Sequence, residues 1–155
     1  MGVFLSDSLF SLFLFFEIMG LTSFVMVIQE ETEAAGRAAR TYLAIAVIGG
    51  LCALSGIFMI AAGTGNLSMD SLEQFRKATG GTWPLYLAGV LLLAGFGAKA
   101  GMYPLHVWLP NAHPVAPAPA SALLSGILTK TGVFGILAVT VTMFRHDMAW
   151  GKVLL

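Results

Sequence analysis

Four apolar stretches, each about as long as a bilayer is thick, leave this chain almost nothing with which to build a water-soluble surface. A membrane-spanning helix needs roughly 20 mainly apolar residues. Such stretches occupy about residues 9–28, 41–62, 84–103 and 120–144. Of the 155 residues, 57% are hydrophobic and only 10% charged, and the mean hydropathy is +0.86. That composition is too apolar for a soluble globule of this size. The sequence therefore predicts an all-α integral membrane protein with about four transmembrane helices and no cleavable leader, because the first basic residue is Arg37.

Charge and cysteine content remove several function classes. Eight basic residues balance eight acidic ones, so no basic face exists for nucleic acid. A single cysteine, Cys52, lies inside the second apolar stretch; it cannot close an internal disulfide or supply the thiolates of an iron–sulfur cluster, and it reads as a packing residue. No glycine-rich phosphate loop or haem-type cysteine pair is present, and the serines have no nearby His and carboxylate. The chain is expected to hold no cofactor and to perform no hydrolytic or redox step itself.

The connections differ in character. Residues 29–40 carry Glu30, Glu31, Glu33, Arg37 and Arg40 and read as a solvated helical link with mixed charges. Residues 63–82 contain Ser71-Leu72-Glu73-Gln74, a capping-box pattern, in a short helix with Met69, Leu72 and Phe75 on one side. After Gly101 come Pro104, Pro110, Pro114, Pro117 and Pro119, five of the six prolines. They exclude a regular helix from Tyr103 to Pro119. Leu105, Val107, Trp108 and Leu109 are nevertheless too apolar for an aqueous loop. The third span is therefore expected to be broken, with Pro104 and Pro110 as the breaks and an extension to about residue 111 enclosed by protein, where unpaired peptide groups are tolerated at membrane depth.

Ionisable residues within the spans carry the functional signal. Glu17 lies eight residues into the first span, roughly 12 Å along the helix. A carboxylate at that depth costs several kcal/mol unless it is neutral or paired, which leaves two readings: a structural ion pair or a proton relay. Lys99, among Gly95, Gly97 and Gly101, falls near mid-membrane if the third span continues to residue 111, and otherwise extends to the interface. Lys130 lies about 15 Å into the fourth span. His106 and His113 suit a relay because an imidazole accepts at one nitrogen while donating at the other; hydrogen bonding to proline-freed backbone is the alternative. Their spacing, with no adjacent Cys, Asp or Glu, argues against a metal site.

The run Phe96-Gly97-Ala98-Lys99-Ala100-Gly101-Met102-Tyr103-Pro104-Leu105-His106-Val107-Trp108-Leu109-Pro110-Asn111-Ala112-His113, with Ser121 to Gly132 and Phe16-Glu17-Ile18-Met19-Gly20-Leu21, resembles antiporter-like membrane subunits. These occur in respiratory complex I, Mrp-type cation/proton antiporters, membrane-bound hydrogenases and formate hydrogenlyases. The resemblance implies that residues 1–155 form part of one inverted repeat of that fold. It also implies that Glu17 pairs with Lys99, that Lys130 is the central relay lysine, and that His106 and His113 belong to the connecting segment. Asn111 stands where relatives often carry aspartate. The implied function is a proton-translocating half-channel of a multisubunit redox-driven pump, in a prokaryotic plasma membrane. Other membrane subunits would complete the fold, and iron–sulfur or other redox centres would sit in peripheral partner subunits. Cation/proton exchange of the Mrp type and a non-conducting scaffold are the alternatives.

Overall fold

The computed structural model describes residues 2–80, 83–145 and 147–154, and its described residues are overwhelmingly helical. Helix α1 (Leu9–Ile28) starts at Ser8, whose hydroxyl accepts from the Ser11 amide at 3.1 Å. Helix α2 (Glu33–Thr64) is capped by Thr32 and terminates at Gly65, a left-handed residue with φ 67°. Its 32 residues span roughly 48 Å, well beyond a hydrocarbon core of about 30 Å. The link expected over residues 29–40 is thus mostly the first turns of α2, where Glu33 and Arg37 form an exposed ion pair. Apolar residues could continue the helix directly into the membrane, so no separate connector was needed.

Helix α3 (Ser71–Thr79) caps one end of the bundle. Leu72 and Phe75 are buried, with Met69 packed beside them. The capping box is not formed. Asp70 occupies the N-cap position, and Ser71 lies inside the first turn, donating its hydroxyl back to the Ser68 carbonyl at 2.7 Å. The same end is tied together by backbone bonds from Leu9 to the Leu67 carbonyl and from Met69 to the Asp7 carbonyl.

Helix α4 (Trp83–Ala100) runs between its neighbours and is the most buried span. Small residues bring it against α2: a Cβ on Gly95 would meet the Gly49 carbonyl oxygen at 2.7 Å. It ends at Gly101, φ 77°, which only glycine adopts without strain. A short 3₁₀ turn (Leu105–Val107) and helix α5 (Trp108–Ala112) follow. Pro110 does not break the chain: it sits in the first turn of α5, where an amide has no intrahelical acceptor to lose. The interruption lies between Gly101 and Pro104. Nor is the broken segment enclosed on all sides, since Trp108 and Ala112 are buried while Tyr103 is 81% exposed and His106 and Val107 face outward.

Helices α6 (Ala118–Leu123) and α7 (Thr129–Met143) form one continuous span through a π turn at Leu124–Leu128. Pro117 and Pro119 stand at its start, where proline is tolerated. Helix α8 (Met148–Leu154) closes the described chain. Among the described residues, four helical stretches are long and apolar enough to cross a membrane. Exposed Ile18, Leu21, Leu51, Phe58 and Val141 give them apolar outer faces suited to lipid or to neighbouring subunits.

Candidate ion-pair site

Two apolar clusters fill the bundle. One gathers Leu12, Phe16, Ile57, Leu92, Phe96 and Val139; the other gathers Val27, Tyr42, Trp108, Leu124 and Leu128. Glu17 and Lys99 sit where the clusters meet. Lys99 is 2% exposed, and its Nζ lies 3.6 Å from Glu17 Oε1. At that length the pair attracts without a hydrogen bond, and among the described residues Glu17 Oε1 has no hydrogen-bond partner. The ammonium instead donates to the Phe16 carbonyl at 2.7 Å and rests 4.2 Å from the centre of the Phe16 ring, a cation–π contact worth about 2 kcal/mol when desolvated. An ammonium has three donors. Moving ~0.7 Å would turn the ion pair into a charge-assisted hydrogen bond.

Two glycines make room for this arrangement. A Cβ on Gly20 would land on Lys99 Nζ, and one on Gly50 would stand 2.8 Å from Glu17 Oε1. One turn of α1 further, the buried Tyr42 hydroxyl donates to the Gly20 carbonyl at 3.0 Å, with Ser23 beside it. Trp108 packs edge-on against Tyr42 and donates from Nε1 to the Ala98 carbonyl at 2.7 Å. The broken segment is thereby fastened to the turn that carries Lys99.

The other sequence candidates lie apart from the pair. Lys130 follows the π turn, is exposed, and forms no ion pair among the described residues. Its neighbour Thr131 is buried, donating to the Leu128 carbonyl and lying 3.8 Å from Met19 Sδ on α1. His106 is exposed and stacks on the Tyr103 ring. Half-buried His113 shares a 2.6 Å hydrogen bond between Nδ1 and Ser121 Oγ, so its described partner is a hydroxyl and not proline-freed backbone. Sequence reasoning passed over Gly20, Gly50, Tyr42 and Trp108. The available signal was spacing: Gly20 lies three residues after Glu17 and so shares its helix face.

With this geometry in view, the family described as NADH:quinone oxidoreductase/Mrp antiporter, TM, matches residues 6–155. The chain belongs to this family. Within it, the chain is 34% identical over 149 residues to a Na⁺/H⁺ antiporter subunit of Bacillus subtilis, covering 96% of this chain and 30% of that one. It is 37% identical over 150 residues to a hydrogenase-4 component of Escherichia coli, covering 94% and 22%. Among solved structures it resembles a chain of the Mrp complex from Dietzia sp. DQ12-45-1b, with TM-score 0.84, 25% identity and coverage of 99% and 29%. A chain of the membrane-bound sulfane sulfur reductase, an archaeal respiratory membrane complex, shares the fold at TM-score 0.85 and 22% identity, covering 98% and 31%. The chain therefore spans less than a third of each of these proteins. Its four spans agree with the multi-pass membrane character of the family.

Proposed function

We propose that this chain is a proton-translocating membrane subunit, supplying a half-channel to a multisubunit redox-driven ion pump of the complex I or hydrogenase type. The observation that carries the reading is the Glu17–Lys99 pair, held at 3.6 Å between two apolar clusters and left without a direct hydrogen bond. A purely structural pair would be expected to close that gap, because burying the Lys99 charge costs several kcal/mol and close contact with its counter-charge offsets it best. An open pair costs stability and keeps Lys99 ready to move. When Glu17 is ionised it holds the ammonium near α1; protonating Glu17 removes that attraction and frees Lys99 to pass its proton on. Lys130, on the exposed face of the next span, is the receiving group in this reading, once further protein covers it and its own ammonium has passed its proton onward, leaving a neutral amine to accept from Lys99. His106 and His113 serve the segment between them.

Completion of the path would fall to other membrane subunits or further protein on that face. Any iron–sulfur or other redox centre belongs to peripheral partners, and this chain would hold none. Bacterial relatives support a prokaryotic plasma membrane. A second reading, cation/proton exchange without redox chemistry, is favoured by the similarity to the Na⁺/H⁺ antiporter protein of Bacillus subtilis.

Mass spectrometry of the complex purified through this chain in mild detergent separates the two readings: iron–sulfur subunits copurify with a redox pump, and antiporter subunits alone with an exchanger. Proton uptake by inverted vesicles tests the relay itself. Glu17→Gln should abolish uptake with the complex assembled, and undiminished uptake would overturn the proposal.

A further inference from the structure

At the α3 end of the bundle, far along α4 from Lys99, a cleft of about 690 Å³ opens between the last turn of α3 and the α7–α8 junction. Arg76, Lys77, Arg145 and Asp147 line it, Met148 and Ala149 give it exposed apolar surface, and the buried Leu85, Met143 and Phe144 lie behind them. Two carboxylates stand close by, and both are engaged. Glu73 pairs with Lys77 at 2.8 Å. Asp147 accepts from the Tyr86 hydroxyl at 2.5 Å and from the Ala149 amide at 2.8 Å. The two guanidinium groups are left over: among the described residues neither Arg76 nor Arg145 forms an ion pair, and Arg76 Nε is buried with no hydrogen-bond partner. A buried donor without an acceptor is destabilising, so the Arg76 guanidinium has hydrogen-bonding capacity left for a further acceptor. The three cations also share one field. The Glu73 carboxyl is held below its ordinary value first by its hydrogen bond from Lys77 and that residue's charge, then by Arg76 and Arg145.

The cleft's level in the membrane narrows the choice of anion. Trp83 and Met148, at the same end of the bundle, are 71% and 86% exposed, and exposed tryptophan marks the headgroup layer. Arginine forks match phosphate oxygens two at a time. A free phosphate would use the cations and gain nothing from Met148 and Ala149, which line the cleft and are exposed, whereas a phospholipid would also lay its glycerol and first methylenes on them. We propose that this cleft binds the phosphodiester headgroup of an anionic phospholipid, Arg76 and Arg145 holding its oxygens.

The test is native mass spectrometry of the full chain in mild detergent, with phosphatidylglycerol, phosphatidylcholine of the same acyl chains, or inorganic phosphate added. An arginine near the membrane surface contributes ~5-fold to anionic lipid affinity, so Arg76→Gln with Arg145→Gln should lower phosphatidylglycerol retention ~30-fold. Arg145→Gln alone, at an exposed position, should lower it ~5-fold without risk to the fold. Lys152→Gln, also exposed but away from the cleft lining, should leave it unchanged. Phosphatidylglycerol retained no better than phosphatidylcholine, or equally by wild type and Arg145→Gln, would overturn the proposal. Inorganic phosphate that binds alone and displaces the lipid would assign the cleft to free phosphate instead and likewise refute it.

Discussion

Replacing both members of the Glu17–Lys99 pair by methionine separates a relay from a strut. At 3.6 Å and an effective dielectric constant of about 20, the two charges attract by ~5 kcal/mol. Removing one leaves the other without its counter-charge. Glu17→Met should be the worse single change, at about 3–5 kcal/mol, because it strands a lysine side chain that is 2% exposed. Lys99→Met strands a carboxylate that is 28% exposed, which water can reach, and should cost ~1–2 kcal/mol. The double variant removes both desolvation penalties and keeps the volume, so its stability should lie within about 1 kcal/mol of wild type or above it. The cycle therefore yields a coupling of at least ~3 kcal/mol, measured by unfolding in mixed micelles. A coupling under ~0.5 kcal/mol, the level of independent sites, would refute the claim that the charges sense each other. Proton uptake by the double variant then decides the role. A well-folded protein with no uptake is the expected result; wild-type uptake would make the pair a strut.

Four further outcomes follow from the geometry. Lys130→Ala removes an exposed side chain and should change stability by less than about 0.5 kcal/mol while abolishing proton uptake; full uptake would sink its place as acceptor. Gly20→Ala puts a methyl where Lys99 Nζ now sits, so the ammonium should lose its Phe16 carbonyl, a charged hydrogen bond worth about 1.5–3 kcal/mol, and uptake should fall at least ~10-fold with assembly retained, as size-exclusion chromatography would show. Trp108→Phe deletes the bond to the Ala98 carbonyl and should cost about 1–2 kcal/mol, read by thermal unfolding in detergent. The Asp147 carboxyl lies below its ordinary value, mainly through the Tyr86 hydroxyl; its contribution to docking α8 is therefore full above ~3.9 and lost as pH falls through the lower folded value. Tyr86→Phe should raise the pH at which the Asp147 carboxyl carbon titrates by NMR, and an unchanged titration would remove Tyr86 from that role.

The spans were legible because lipid makes hydrophobic length nearly a sufficient statement of structure. The local chemistry of ends was less so. Ser71-Leu72-Glu73-Gln74 carries a capping-box pattern, yet Asp70 precedes it and starts the helix one residue earlier; two adjacent N-cap candidates cannot be ranked without the bonds each would make. Pro110 illustrates the same limit, since a proline breaks a helix interior and suits a first turn, and which applies depends on where α5 begins. The π turn at Leu124–Leu128 left no mark in the apolar pattern. At the site, charge inside apolar sequence singled out Glu17 and Lys99, because an ion at that depth is conspicuous. Gly50 was invisible for the opposite reason, and Gly20 showed nothing beyond its spacing from Glu17: their role is the absence of a side chain opposite another helix, and that is a property of packing.

The broken helix explains why Lys99 can be placed so deep. Lys99 lies in the last turn of α4, and a helix C-terminus concentrates negative partial charge in its unpaired carbonyls. In an unbroken span those carbonyls would reach the interface, where water satisfies them. Here Gly101 turns the chain early, and the carbonyls are answered inside the protein: Ala98 accepts from Trp108 Nε1, and Gly97 from the Met102 amide. The last turn of α4 is thus closed inside the protein, away from bulk water, where its partial charges are screened least. The Phe16 carbonyl and ring also contact the ammonium, so the charged lysine does not depend on Glu17 alone. That shared support suits the proposed relay. Were Glu17 the only stabilising group, neutralising it would leave the ammonium without a partner; with the Phe16 carbonyl at 2.7 Å, Lys99 keeps an acceptor when Glu17 is neutral.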